Sequence, residues 1–216
     1  MNLQALLFDF DGVILDTEWP IYQVWAQNFR DYGQELTLEK YVQCIGSDFA
    51  TWSPETYLEE LTGQTFDWPT IKDAGNQKIR GAVAELNPMP GVVDLLEWAE
   101  TEGIRQAVVS SSTHSWVDRW LEKHNLARFF EFTVCRGDAP RIKPAPDLYA
   151  EAVSRLDLPA ASCLVIEDSL NGLKSAHATG CPVAAVPCRV TAGIDFSAAE
   201  LRFPDLPSLL QHLRVT

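Results

Sequence analysis

Leu6-Leu7-Phe8-Asp9-Phe10-Asp11-Gly12-Val13 reads as a buried strand that delivers two carboxylates, one residue apart, at its C-terminal end. Open α/β sheets bind their ligands outside the carboxyl ends of their strands. Alternate residues of an ideal strand share a face, so Asp9 and Asp11 start on one side, and Gly12 lets the backbone turn sharply behind them. Two crowded anions require a bound cation or a shared proton. Alone, an Asp-x-Asp-Gly stretch equally fits a solvated turn, because Asp and Gly are both turn residues. The rest of the chain separates the two readings.

Downstream, Asn87-Pro88-Met89-Pro90-Gly91 punctuates the chain, and a helix is expected from about Val92 to Thr101 with Val92, Leu95, Leu96 and Ala99 on one face. Short apolar strands follow at 106–109, 132–135, 163–166 and 183–186. They alternate with helical patterns around 115–125, 145–156 and 170–179. Such alternation points to right-handed βαβ units and a mostly parallel sheet covered on both faces. Between the first strand and Pro88 the spacing is helical throughout, as in Trp19, Tyr22, Trp25-Ala26 and Phe29, and again in Tyr57, Leu58 and Leu61. The predicted fold class is therefore α/β: a Rossmann-like sheet with helices on both faces, formed by residues 1–16 and 88–216, plus an inserted all-α cap of residues 17–87.

A chain of 216 residues can bury a full core. Its 17 basic against 30 acidic side chains give a formal charge of −13, which disfavours nucleic acid and anionic membranes as partners. An anionic substrate would need a local cation. The five cysteines, at 44, 135, 163, 181 and 188, are odd in number and contain no C-x-x-C pair, so they suggest neither a disulfide framework nor zinc spacing. They read as reduced, mostly buried thiols. Met1-Asn2-Leu3-Gln4 leads straight into the first strand without a basic stretch and apolar h-region, and no run approaches a membrane span. A soluble cytoplasmic monomer is expected, with a dimer left open.

Three further features fall at or just after predicted strand ends. Ser110-Ser111-Ser112 could bind an anion beside a helix N-terminus or simply cap that helix. In Arg141-Ile142-Lys143-Pro144-Ala145-Pro146-Asp147 the prolines stiffen the backbone from which Lys143 projects, although a solvated lysine fits the same pattern. Leu164-Val165-Ile166-Glu167-Asp168-Ser169 is a second apolar strand ending in acids, with helix capping by Asp168 or Ser169 as the bland alternative. Acids at two neighbouring strand ends form an oxygen-rich pocket suited to magnesium, which takes one or two carboxylates plus water and phosphate oxygens. Lys143 would balance the remaining negative charge.

In order and spacing these motifs resemble the haloacid dehalogenase-like hydrolases, specifically the phosphatase and phosphomutase branch with a helical cap after the first motif, and most closely the β-phosphoglucomutase-like subgroup. The resemblance runs from Asp9-Phe10-Asp11-Gly12-Val13 through Ser110 and Lys143-Pro144 to Glu167-Asp168-Ser169, with Gly172 and Ala176 following. It implies that Asp9 attacks phosphorus to form an aspartyl-phosphate, and that Asp11 protonates the leaving oxygen and then deprotonates water. It implies magnesium held by the Asp9 carboxylate, the Asp11 carbonyl and the Asp168 carboxylate, with Glu167 as a supporting or water-mediated ligand. Ser110 and Lys143 would hold the phosphoryl oxygens, and Lys143 would also neutralise Asp9.

Departures within that family narrow the chemistry. Its dehalogenases lack the second acid, which here is Asp11, and its phosphonate hydrolases use a cap lysine that Asp16-Thr17-Glu18-Trp19-Pro20-Ile21-Tyr22 does not supply. Its mutases place a cap histidine shortly after the Asp-Thr pair. The matching stretch has Ile21, and the four histidines lie at 114, 124, 177 and 212. The expected function is a magnesium-dependent phosphatase acting on a small phosphorylated metabolite of the sugar or polyol phosphate type, ahead of a sugar phosphomutase and of a phosphate-binding protein without turnover. Ser111, Thr17, Glu18 and His114 are the further expected substrate contacts, His114 because it follows the serine cluster. Ile21, the loop near Gly46-Ser47-Asp48, and Lys72, Lys78 and Arg80 fit either the cleft or solvent.

Overall fold

The computed structural model describes residues 2–45 and 52–215; the expected contact loop Gly46-Ser47-Asp48 lies outside them. Strand β1 (Ala5–Phe8) is followed by four helices, α1 (Glu18–Asp31), α2 (Leu38–Tyr41), α3 (Pro54–Thr62) and α4 (Trp68–Ala84). Then come α5 (Val92–Thr101), β2 (Arg105–Thr113), α6 (His114–Lys123), β3 (Phe132–Arg136), α7 (Asp147–Leu156), β4 (Cys163–Glu167) and α8 (Leu170–Thr179). The chain closes with β5 (Val183–Ala185), β6 (Leu201–Arg202) and α9 (Leu206–Leu213). The strands form one sheet in the order β3-β2-β1-β4-β5-β6, every neighbouring pair parallel. Among the described residues between β1 and α5 there is no strand.

Both faces of the sheet are covered, which is why β1, β2 and β4 read as continuous apolar runs instead of alternating ones. Leu6 and Phe8 of β1 point into a core shared with α5, α6 and α9, through Leu95, Leu96, Trp120 and Leu209. Ala5 and Leu7 point the other way, onto Leu148 and Ala152 of α7 and Leu173 and Ala176 of α8. A third apolar cluster belongs to the helices after β1. Trp25, Phe29, Leu36 and Leu58 pack there with Cys188 and Val190 from the segment beyond β5. The helical block is thereby seated at the carboxyl end of the sheet.

Register brings the chemistry level. Phe8 sits opposite Val108 of β2 and Ile166 of β4, so the residues that follow, Asp9, Val109-Ser110 and Glu167-Asp168, emerge side by side. Some details differ from the sequence expectation. Strand β1 ends at Phe8, so Asp11 is placed by a turn and not by strand alternation: Gly12 has φ +87° and its N–H donates to Leu15 O at 2.7 Å. Strand β2 runs on to Thr113, with a register shift between Val109 and Thr113, so the serine cluster lies within a strand instead of capping a helix. The two-residue β6 was too short to show any period. All five cysteines are buried thiols, and among the described residues no helix is long and apolar enough to cross a membrane.

Candidate active site

Lys143 is the centre of the cluster. It is 2% exposed, and its ammonium donates to Asp9 Oδ1 at 2.6 Å, Glu167 Oε1 at 2.7 Å and Val109 O at 2.7 Å. Three donors meet three acceptors, which is the full capacity of an ammonium. Burial alone would pull its pKa down, but Asp9 and Glu167 outweigh burial and hold Lys143 above its ordinary value, hence charged. On Asp9 burial, then Glu167, push the carboxyl well above the usual range against the opposing pull of Lys143. A further cation beside Asp9 would favour its ionised form.

Glu167 is enclosed. Oε1 also accepts the Tyr149 hydroxyl at 2.7 Å, and Oε2 accepts the Ser169 N–H and hydroxyl at 3.3 and 3.1 Å. Gly172 leaves room for it, because a Cβ there would overlap the Glu167 carboxylate. Asp168 contrasts with it. This side chain is 1% exposed, its Oδ2 accepts Thr191 Oγ1 at 3.3 Å, and its Oδ1 is buried with no hydrogen-bond partner. Burial, then Glu167, push Asp168 well above the carboxylate range. Gly12 has no Cβ for the same kind of reason, since one would run into the Asp168 carboxylate. Asp9, Glu167 and Asp168 present oxygens that all lie within 4.8 Å of one another. Three buried carboxylates against one ammonium, one of them with an orphaned oxygen, suit a hard divalent cation.

Asp11 stands beside this group with its carboxylate held by donors. Oδ1 accepts Thr17 Oγ1 at 2.6 Å and Trp116 Nε1 at 2.9 Å; Oδ2 accepts Ser112 Oγ at 2.7 Å, with Ser110 Oγ at 3.5 Å. A cavity of about 440 Å³ opens above the cluster. Asp9, Asp11, Asp168, Lys143 and the serines 110–112 line its floor, and Ile21, Val24, Ile71 and Ile79 of α1 and α4 form an apolar wall. Glu18 lines the same space. Burial, then the negative charges of Asp11 and Asp9, push its carboxyl up to about 8, with a hydrogen bond to Tyr41 acting in the opposite direction. This shift favours the neutral form of Glu18, which can donate a hydrogen bond.

The expected site residues are thus sorted by position. Asp9, Asp11, Glu18, Ser110, Ser111, Lys143 and Asp168 line the cavity, while Glu167 lies beneath it with its oxygens engaged by protein donors. Thr17 is fully buried and donates to Asp11 instead of lining the cavity. His114 is not brought in: its ring nitrogens lie 3.1 Å from Asp118 and 2.8 Å from Asp138, because α6 starts at this residue and turns it toward β3. Lys72 lines the cavity paired with Glu55 at 3.1 Å; Lys78 borders a separate surface depression, and Arg80 lines neither. Trp116, Tyr149 and Thr191 were not expected, and Ser112 was read only as part of the serine triplet, not as a partner of Asp11. Trp116 and Tyr149 sit on amphipathic helices where an aromatic reads as core, and only the serine triplet carried a signal, for Ser112.

Comparison with known proteins is consistent with this geometry. A family model described as haloacid dehalogenase-like hydrolase matches residues 6–186. The chain is 33% identical over 216 residues to the candidate phosphatase YhcW of Bacillus subtilis (strain 168), with 98% of each chain covered. It is 32% identical to the CbbY protein of Rhodobacter capsulatus over 95% of each chain, and 27% identical to the fructose-1-phosphate phosphatase YqaB of Escherichia coli (strain K12) over 82% of this chain and 92% of that one. Among solved structures, a variant of CbbY from Rhodobacter sphaeroides in complex with xylulose-(1,5)bisphosphate superposes with a TM-score of 0.75, at 24% identity and 96% coverage of both chains.

Proposed function

The chain belongs to the haloacid dehalogenase-like hydrolases and is a phosphatase, and we propose that it hydrolyses a small phosphorylated metabolite, of the sugar or polyol phosphate type, through a phosphate ester of Asp9 and with magnesium. Residues 17–87 act as the cap over the core of residues 1–16 and 88–216. The observation that carries this reading is the buried Lys143 between Asp9 and Glu167, next to the orphaned Oδ1 of Asp168.

Asp9 supplies the nucleophilic oxygen, oriented by Lys143, whose three protons are all engaged within the protein. Lys143 therefore neutralises and aims Asp9. In the first half-reaction the Asp9 oxygen bonds to phosphorus as the ester P–O bond breaks, and Asp11 gives its proton to the departing oxygen. In the second, Asp11 takes a proton from water as the water oxygen bonds to phosphorus and the Asp9–phosphorus bond breaks. Ser110 and Ser111, which line the cavity, donate to the phosphoryl oxygens. Asp9, the Asp11 carbonyl and Asp168 would hold magnesium, with Glu167 supporting the cluster through Lys143. The bound ion would offset phosphate charge in the transferring group. Glu18, as a neutral acid in the cavity, offers a hydrogen bond to a substrate hydroxyl.

The names of relatives support the substrate class: YqaB is named for fructose 1-phosphate, and the CbbY variant was crystallised with a sugar bisphosphate. Hydrolysis is favoured over isomerisation because Ile21, where the mutase branch places histidine, stands in the cavity wall with Val24. A panel of sugar and polyol phosphates, assayed for phosphate release with magnesium and with chelator, tests the reading. Asp9→Asn should lose turnover by more than about a thousandfold while the fold is kept. Activity within tenfold of the parent, or undiminished turnover in chelator, would refute it. β-D-Glucose 1-phosphate should yield free phosphate and glucose, and efficient formation of glucose 6-phosphate would establish the mutase instead.

A further inference from the structure

Asp11 is held by three close donors of unequal kind. The hydroxyls of Thr17 and Ser112 can rotate and become acceptors when Asp11 carries a proton, but the indole N–H of Trp116 can only donate. The anchors differ as well. Thr17 is the N-cap of α1, the entry to the helical block, and Ser112 lies in the stretch where β2 shifts register. Trp116 sits on α6, edge-on to Trp120 at 5.7 Å and 84°, and Trp120 is 2% exposed in the core with Val117 and Leu121.

We propose that Trp116 is a positioning residue for the proton-transfer steps: its indole N–H holds Oδ1 of Asp11 as an acceptor, so that Oδ2, on the Ser110 side, carries the proton to and from the reacting oxygens. The proposal rests on Asp11 acting as acid and base. A carboxyl oxygen facing a fixed N–H is better occupied as the carbonyl-type acceptor than as the O–H donor. That leaves the proton on Oδ2, which lies 3.5 Å from Ser110 Oγ and 2.7 Å from Ser112 Oγ, toward the floor where the phosphoryl group is expected. Trp116 also lines the cavity, so a bound substrate encloses this N–H and strengthens its hold.

The test separates proton transfer from phosphorylation of Asp9. With 4-nitrophenyl phosphate the leaving oxygen needs no proton, so in Trp116→Phe the first, stoichiometric release of nitrophenolate should keep the parent's rate, while steady-state turnover, which needs Asp11 to activate water, falls about tenfold or more. With glycerol phosphate both phases should slow, and KM should move less than about threefold. Trp98→Phe, which removes an indole that does not line the cavity, should change neither. If Trp116→Phe folds poorly, site-specific 3-benzothienylalanine, which keeps the ring shape and lacks the N–H, should give the same pattern. With 4-nitrophenyl phosphate, parallel slowing of both phases, or steady-state turnover within twofold of the parent, overturns the proposal. Should Asp11→Asn itself leave turnover unchanged, the underlying assignment of Asp11 fails as well, which distinguishes the two failures.

Discussion

Lys143 owes its burial to the number of its partners. An isolated ammonium at 2% exposure would be strongly disfavoured, but two carboxylates and a carbonyl satisfy all three of its protons. The flanking prolines pointed to the residue, but by themselves they favoured a solvated lysine, because partners 134 and 24 positions away have no local signal. The same limit applied to Glu167 and Asp168. Adjacent acids at a strand end look alike in sequence, and only the structure shows one enclosed by Lys143, Tyr149 and Ser169 while the other keeps a free oxygen. Gly172 guards that difference. Gly172→Ala would thrust a methyl group into the Glu167 carboxylate, so the variant should lose about 1–3 kcal/mol by urea denaturation, as overpacking does. It should lose turnover with it, since Glu167 can move only by releasing Lys143. A variant of unchanged stability and activity would show that this packing is looser than described.

The first turn of helix α6 is tied to β3 by a small polar cluster outside the active site. His114, at the first position of α6, meets Asp118 on its own helix and Asp138 beyond β3, while Thr133 of β3 bonds the ring and Arg155 of α7 approaches Asp138 at 4.0 Å. Partial burial pulls the imidazole down, but the hydrogen bonds and charges of Asp138 and Asp118 outweigh it and hold His114 above its ordinary value. A raised histidine stabilises the fold fully below the unfolded-state value of about 6.5, and that contribution is lost as pH rises through the folded-state value. The stability difference between parent and His114→Ala should therefore be largest near pH 5.5 and shrink toward pH 8. Because the side chain is 42% exposed, it should stay under about 1 kcal/mol. A difference that grows with pH in denaturation curves would contradict the assignment. Among the elements themselves, β1, β4 and α8 were readable because buried parallel strands are continuous apolar runs and helices show their stripe. The extension of β2 through Ser110-Ser111-Ser112-Thr113 was not, since polar residues at a sheet's end have backbone pairing, as Thr113 with Arg136, but no apolar period to announce it.

The chain carries a formal charge of −13, and its consequence for stability is sharpest where acids are buried together. Asp9, Glu167 and Asp168 are buried together with a single ammonium, so with all three ionised the cluster would carry more negative charge than the protein neutralises there. A cation bound at that point would stabilise the native chain by mass action, by about 2.7 kcal/mol at a hundred times its dissociation constant. For a domain of this size that corresponds to a rise of about 5–10 °C in Tm. The substitution that tests this is Asp168→Asn, which removes one buried charge with little change of shape. In chelator it should melt above the parent, because an unpaired buried carboxylate is costly. In millimolar magnesium the order should invert, because the parent gains the ion's stabilisation and the variant loses most of it. Calorimetry of both proteins in both buffers provides the check: a parent Tm indifferent to magnesium, or an Asp168→Asn protein that gains as much as the parent, would remove the cation from this cluster and with it the role assigned to Asp168.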